Sequence, residues 1–230
     1  IVVRLVGSEM CIRDRFLSDY IEKMNTEQKD IYYLAAENKE MAEGSPHLEV
    51  FRKKKLDVLF LTDPIDTFWL SMAGEFQDRK FVSITKGDID LTAFSDDKKE
   101  KEKKPPAGMK GLVEKIKEIL GENVQDVKVS TKLVDSACCL VAPDTGMDVQ
   151  MERIMKIQNK DFKGMPRILE INPDHNIIKK LNKIKDTDKD ALNDASFLLF
   201  DQAKMVEGEL PNDIAKFNQR MSKFLGIALS

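Results

Sequence analysis

The sequence predicts a small layered α/β subdomain followed by a mixed α+β domain that ends in two amphipathic helices. Short apolar runs alternate with helical stretches over residues 16–94, which is typical of a parallel sheet covered by helices. A charged segment that ends in two prolines then interrupts the chain. Apolar residues spaced three and four apart fill the last part of the sequence and indicate two long helices.

Residues 16–94 are predicted to form the first domain, with three strands and three helices. Ser18 is a plausible N-cap because its hydroxyl can accept a hydrogen bond from a free backbone N–H in the first turn. Ser45 and Pro46 supply an N-cap and a proline at the first helical position. The predicted strands are 31–35, 56–61 and 81–85, and the predicted helices are 18–28, 45–54 and 66–75.

An acidic turn follows the second predicted strand and contains Asp63 and Asp66. Ligands of open α/β sheets bind beyond the carboxyl ends of the strands, so these two residues are the best candidate pair for general acid–base chemistry. No nucleophile or electrostatic partner accompanies them in the sequence. We therefore favour an architectural turn, with a small α/β enzyme that uses Asp63 and Asp66 as the alternative.

The first fifteen residues do not read as the start of a domain. They resemble translated sequencing-adapter sequence, and we predict that residues 1–15 are non-native; the alternative is a short edge strand. Cys11 is therefore left out of any redox argument. The two other cysteines, Cys138 and Cys139, are adjacent and make no disulfide framework, which favours a reducing cytoplasm.

The charge of the chain argues against two classes of partner. The net charge is −3 and the pI is near 5.6, so we expect no nucleic-acid partner and no attraction to anionic membranes. No apolar run approaches the roughly 20 residues that span a bilayer.

A linker at residues 95–106 is predicted to lead into the second domain, residues 107–230. The linker mixes both charge signs and contains almost nothing that can be buried. A helix is predicted over 109–120, followed by strands at 124–130, 137–142 and 167–171. A further helix is predicted to begin after residues 172–175 and to end near residue 184.

The two terminal helices carry apolar seams that need another apolar surface to cover them. They can pair with the same helices of a second copy in a four-helix bundle, or they can pack onto the sheet of their own chain. The sequence alone leaves both possibilities open. The seam residues are Leu192, Ala195, Leu199 and Val206 in the first helix, and Ile214, Phe217, Met221 and Phe224 in the second.

Two further groups of residues were candidates for binding. His47 and His175 stand apart from any recognised metal-ligand spacing, so each is predicted to be a packing or helix-start residue, with no metal site. Met147, Met151 and Met155 are spaced four apart, with Ile154 on the same helical face. Such a stripe is usually core, but flexible methionines also suit binding to varied apolar partners.

Seven strings of the sequence, taken in order, resemble the heat shock protein 90 chaperone family in its bacterial branch. They span nearly all of the chain after residue 15, and their order makes the resemblance specific. The strings occupy residues 31–35, 45–49, 58–66, 75–76, 151–155, 169–175 and 199–203.

The resemblance implies the latter part of a middle domain followed by a C-terminal dimerisation domain. It implies a homodimer through the two terminal helices, and contact with unfolded client proteins through Met147, Met151, Ile154 and Met155. The nucleotide-binding part of the family lies upstream, so this fragment is expected to hold no cofactor and to have no enzyme activity. ATP and Mg²⁺ would act in the parent protein, whereas an adaptor that dimerises without ATP is the alternative. The missing acidic tail favours a bacterial type.

Overall fold

The fold is taken from a computed structural model, which describes residues 10–25, 28–63, 73–86, 106–143 and 164–229, and singly 66, 70, 89, 91, 94, 152 and 155. The chain forms two compact units. The first unit comprises residues 1–102 and 142–165, and the second comprises 103–141 and 166–230. Residues 142–165 thus belong to the first unit although they follow strands of the second unit in sequence.

The first unit contains a four-stranded sheet in the order β2-β1-β4-β3. Strand β1 runs parallel to β2 and β4, which confirms the predicted parallel core. The β3–β4 hairpin was not predicted; it turns through Gln77 and Asp78, which both have positive φ (49° and 59°) and lack the usual Asn-Gly signal of such turns. The strands are β1 (Ile31–Ala35), β2 (Leu59–Leu61), β3 (Glu75–Phe76) and β4 (Arg79–Ser83).

The described helices of the first unit are α1 (Met10–Lys23), α2 (Lys39–Glu43) and α3 (Glu49–Lys53). A 3-10 turn, Pro46–Leu48, precedes α3. The predicted Ser45 cap is confirmed, since its Oγ accepts a hydrogen bond from the His47 N–H at 3.3 Å. Helix α2 was not predicted because five residues are too few to show helical periodicity.

The prediction for the first helix was wrong at both ends. Helix α1 starts before Ser18, inside the segment 1–15 that we predict to be non-native, and it ends before Gln28. Ser18 lies within the helix and accepts a hydrogen bond from the Gln77 side chain at 3.4 Å. Gln28 is fully buried, and its side-chain amide donates to the Tyr20 hydroxyl at 2.9 Å. Gln28 therefore lies beyond the helix, in a buried contact that local pattern does not reveal.

The predicted helix 66–75 ends earlier than expected. Asp66, Leu70 and Ala73 are helical, but Gly74 has φ 61° and Glu75 already lies in β3. A glycine in the left-handed region commonly ends a helix, because a Cβ is disfavoured there.

The second unit contains a three-stranded sheet in the order β5-β7-β6. The central strand, β7, is buried at all five residues; it runs parallel to β5 and antiparallel to β6. The three predicted strands are confirmed as β5 (Val124–Val129), β6 (Cys138–Val141) and β7 (Arg167–Ile171).

Four helices complete the second unit: α4 (Met109–Leu120), α5 (Asn176–Ile184), α6 (Lys189–Val206) and α7 (Ile214–Ala228). All four were predicted. His175 caps α5, because its Nδ1 accepts a hydrogen bond from the Ile177 N–H at 3.2 Å. The core of the unit lies between the sheet, α4, α5 and α6.

Candidate interaction surfaces

Helix α6 is a core element of the second unit. It packs against β6 and α4, and eight of its residues are buried. The Cys138 thiol on β6 donates to the Leu199 carbonyl oxygen at 3.3 Å. Burial raises the pKa of Cys138 to about 12, so the thiol keeps the proton that this hydrogen bond needs.

The connection between α6 and α7 is fixed by polar contacts. Gly208, with φ 79°, ends α6 in the left-handed conformation. Arg167, buried on β7, donates to the Glu209 carboxylate at 2.5 Å. Lys204 donates to the Asn212 side-chain oxygen at 2.6 Å. These contacts hold both sides of the turn against the folded unit.

Helix α7 differs from α6 because none of its residues is buried across Ile214–Ala228. Its inner face, which we define as Arg220, Lys223 and Phe224, contacts the rest of the unit. Phe224 packs in part against the core, whereas the two cations pair with Asp194 on α6. The helix begins at Asp213, whose carboxylate accepts from the Lys216 N–H at 3.0 Å.

The outer face of α7, defined as Ile214, Met221 and Leu225, is apolar and exposed. The exposed fractions are 52%, 39% and 54%. Because these residues are spaced seven and four apart, they lie along one stripe of the helix. Single exposed apolar residues are ordinary, but a stripe of them is typical of an interface.

The exposed apolar side chains concentrate in this part of the molecule. Among the described residues, eight of the eleven large apolar side chains that are exposed lie between Met205 and Leu229. The three others, Val134, Met165 and Ile177, lie elsewhere in sequence. The apolar surface is therefore a property of the α6–α7 end and not of the described surface in general.

The eight residues predicted for a dimer interface fall into three groups. Leu192, Ala195 and Leu199 are buried in the core of their own unit, as the alternative of packing on the chain's own sheet required. Val206, Ile214 and Met221 are exposed, whereas Phe217 and Phe224 are half-buried. Sequence reasoning missed four exposed apolar residues: Leu210, Leu225, Ile227 and Leu229. The spacing of four residues from Met221 could have indicated Leu225.

Most of the predicted client-binding residues lie outside the described residues: Met147, Met151 and Ile154. Met155 is helical and half-buried. Glu152, also helical, is buried, and its carboxylate accepts a hydrogen bond from the Met165 N–H at 3.2 Å. The role of the methionines stays a prediction.

The acidic turn does not form a shared acid–base site. Asp66 is fully buried, whereas Asp63 is exposed, and the Asp66 N–H donates to the Asp63 carbonyl at 3.0 Å. The two carboxylates therefore lie in different environments, one in the interior and one in water. The geometry supports an architectural turn.

The two remaining kinds of feature are a metal site and a membrane-spanning helix. Within the described residues, no three His, Cys, Asp or Glu side chains come together in a way that could hold a metal ion. His47 is buried at the start of a 3-10 turn and His175 caps α5, so both occupy the predicted helix starts. No helix in the described part of the chain has the length and apolar character needed to cross a bilayer.

Comparison with known proteins agrees with the resemblance. The family model described as "Hsp90 protein" matches residues 7–230. The chain belongs to the Hsp90 family. It is 41% identical over 213 residues to the chaperone protein HtpG of Burkholderia ambifaria and to that of Burkholderia cenocepacia, and 40% identical to that of Burkholderia lata. Each alignment covers 93% of this Hsp90-family chain and 33% of the relative.

The Hsp90-family chain therefore spans about a third of the length of the curated relatives that it matches. It is a fragment of the HtpG type of chaperone. The exposed outer face of α7 is the described surface on which a chaperone role can be tested, and residues 147–155 remain a predicted second one.

Proposed function

We propose that this fragment forms a homodimer through the α6–α7 end and contacts unfolded client proteins. The observation that supports dimerisation is the exposed apolar stripe Ile214, Met221 and Leu225 on a helix that has no buried residue. Burying this stripe against its copy removes apolar surface from water, and a twofold axis lets the same face serve both partners. Leu210 and Leu229, exposed by 73% and 87%, extend the apolar surface at either end of α7.

Sedimentation of the chain over a range of concentrations tests dimerisation. We expect a dimer that dissociates on dilution, and we expect Met221→Asp with Leu225→Asp to give monomer. These positions are chosen because Leu199 lies in the core, where an aspartate would unfold the unit.

The matched control keeps the added charge and moves it off the outer face. Gln219→Asp with Ser222→Asp adds the same two negative charges at exposed positions of α7, off both defined faces. We expect this control to dimerise like the wild type. A wild-type chain that stays monomeric, or two variants that behave alike, would remove the proposed interface.

Client contact is the second part of the proposal and rests on the methionine stripe that the family resemblance implies. Met151→Ser with Met155→Ser should weaken association with a partly unfolded protein, without dissociating the dimer. Unchanged affinity would assign the stripe to the core of the first unit.

We further propose that the parent protein binds ATP and Mg²⁺ upstream of this fragment and uses hydrolysis to close the dimer around clients in the cytoplasm. The family membership and the partial coverage of the relatives support this division of labour. The isolated chain should release no phosphate from ATP above the rate of a buffer control. Hydrolysis by the fragment would contradict the proposal.

A further inference from the structure

Asp194 on α6 is the one acidic residue to which the described contacts of α7 bring two cations. Its Oδ2 accepts a hydrogen bond from Lys223 Nζ at 2.6 Å, and its Oδ1 lies 3.4 Å from Arg220 Nε. The hydrogen bond from Lys223 holds the pKa of Asp194 below its usual range. The Asp194 carboxylate thus contacts two residues of α7, Arg220 and Lys223, which lie three positions apart.

The Arg220 side chain makes a second contact with α6. Its guanidinium carbon lies 4.3 Å from the centre of the Phe197 ring, a distance at which a cation is attracted to the aromatic face. The side chains of Arg220 and Asp194 are only 16% and 19% exposed. The ion pair is therefore partly shielded from water and is less screened than a pair on an open surface.

The apolar contacts of α7 with its own chain are few. Phe224 is the α7 side chain that packs against the core cluster, and no α7 residue is buried. Because α7 buries so little surface, its apolar contacts favour one rotation of the helix about its axis only slightly over another. The contacts of Asp194 therefore carry much of the preference for the observed rotation.

We propose that Asp194 is the positioning residue that sets the rotation of α7 and so presents Ile214, Met221 and Leu225 to a second copy of the chain. This inference rests on the proposed dimerisation. Arg220 and Lys223 lie on the inner face, so pairing both with Asp194 turns the apolar stripe outward. The ion pairs within each subunit then determine which face of α7 is available for dimerisation, although that face is itself apolar.

Charge reversal with rescue tests the inference. Asp194→Lys places like charges beside Arg220 and Lys223, and the triple variant Asp194→Lys, Arg220→Glu, Lys223→Glu restores opposite charges. Asp190→Lys is the control, because Asp190 is exposed on the same helix one turn earlier and acts on Lys223 only through longer-range charge, without a hydrogen bond or ion pair to α7 among those described.

Two measurements are made on the wild type and each variant of the 230-residue chain: the dimer dissociation constant, and hydrogen exchange of the α7 amides at dilutions where the chain is monomeric. Asp194→Lys should weaken the dimer about tenfold and speed α7 exchange by a similar factor, because a favourable ion-pair network becomes a repulsive one. The triple variant should recover both to within about threefold of the wild type, and the remaining deficit should reflect the Phe197 contact that Arg220→Glu removes. The control should stay within about twofold of the wild type, because its longer-range charge is screened by water and salt.

The outcomes separate this inference from the proposed dimer. If the wild type dimerises but Asp194→Lys exchanges like Asp190→Lys, the positioning role is wrong and the dimer stands. If the triple variant stays as impaired as Asp194→Lys, the charge mechanism is wrong. If the wild type never dimerises, the proposed function is wrong. The role of Asp194 in presenting the stripe to a second copy is then wrong too, whatever the rates of hydrogen exchange in α7.

Discussion

The two terminal helices have similar apolar patterns, yet they occupy different environments. Helix α6 buries eight residues against the sheet and α4, whereas α7 buries none and pairs its inner-face cations with Asp194. Three-four spacing shows that a helix has a face to be covered. It does not show whether the cover comes from the same chain or from another copy. Here the chain covers α6 itself and leaves the outer face of α7 exposed.

Truncating one leucine in each helix should show the largest contrast. Leu199→Ala removes a side chain that is 4% exposed and should lower the free energy of unfolding by about 2–5 kcal/mol. Leu225→Ala changes a residue that is 54% exposed and should shift stability by less than about 0.5 kcal/mol at monomeric dilution. Urea unfolding of both variants measures this. Equal losses would mean that α7 belongs to the core after all.

A buried serine should give an intermediate effect. Ser130 donates to the Glu170 carboxylate at 2.6 Å, and both side chains are buried. Ser130→Ala leaves that carboxylate without this donor, which should cost about 1–3 kcal/mol of unfolding free energy.

The control for this effect is Ser222→Ala, at an exposed position of α7. It should stay within about 0.5 kcal/mol of the wild type in the same urea titration. If the two serine variants are equally stable, the polar contact on the sheet contributes no more than an exposed hydroxyl.

The smallest effect concerns pH and Asp194. The pKa of Asp194 is lowered from 3.8, chiefly by the hydrogen bond from Lys223, so the carboxylate stabilises the fold above about pH 4 and stops doing so as pH falls through the lowered value. We expect α7 amides of Asp194→Asn to exchange about threefold faster than wild type at pH 7.

That exchange ratio should hold down to about pH 4 and approach one below it. Asp201 also faces the charge of Arg220, and burial raises its pKa, but it is present in both proteins and cancels in the ratio. A ratio that is constant from pH 7 to pH 2 would show that the Asp194 charge does not hold α7.

The second unit could be predicted from sequence almost element by element, because its helices are long and its strands are apolar runs bounded by turn residues. The first unit was harder. Helix α1 ends at Lys23, and Gln28 beyond it is buried against Tyr20; a contact of that kind between side chains leaves no local pattern. The β3–β4 hairpin was missed because Gln77 and Asp78 turn the chain without glycine.

The sequence indicated that the terminal helices have apolar faces, but not which residues of those faces are exposed. The apolar periodicity predicted both terminal helices, but it could not show that Leu192, Ala195 and Leu199 are buried in their own unit. Leu225 was missed because the predicted seam continued from Met221 to Phe224 and not to the residue four positions on. The contacts of Asp194 depend on two charged residues of another helix, and no spacing within one helix predicts such a pair.

Hydrogen exchange of α6 and α7 as a function of protein concentration tests the difference between the two helices most directly. We expect α6 amides to be protected at every concentration, because the fold of the monomer buries them. We expect α7 amides to be only weakly protected in the monomer, by the contacts with Asp194, and to gain further protection as the chain dimerises, in step with the dissociation constant from sedimentation. If α7 is as protected as α6 in the monomer, or gains nothing when the dimer forms, the central distinction between the two helices is contradicted.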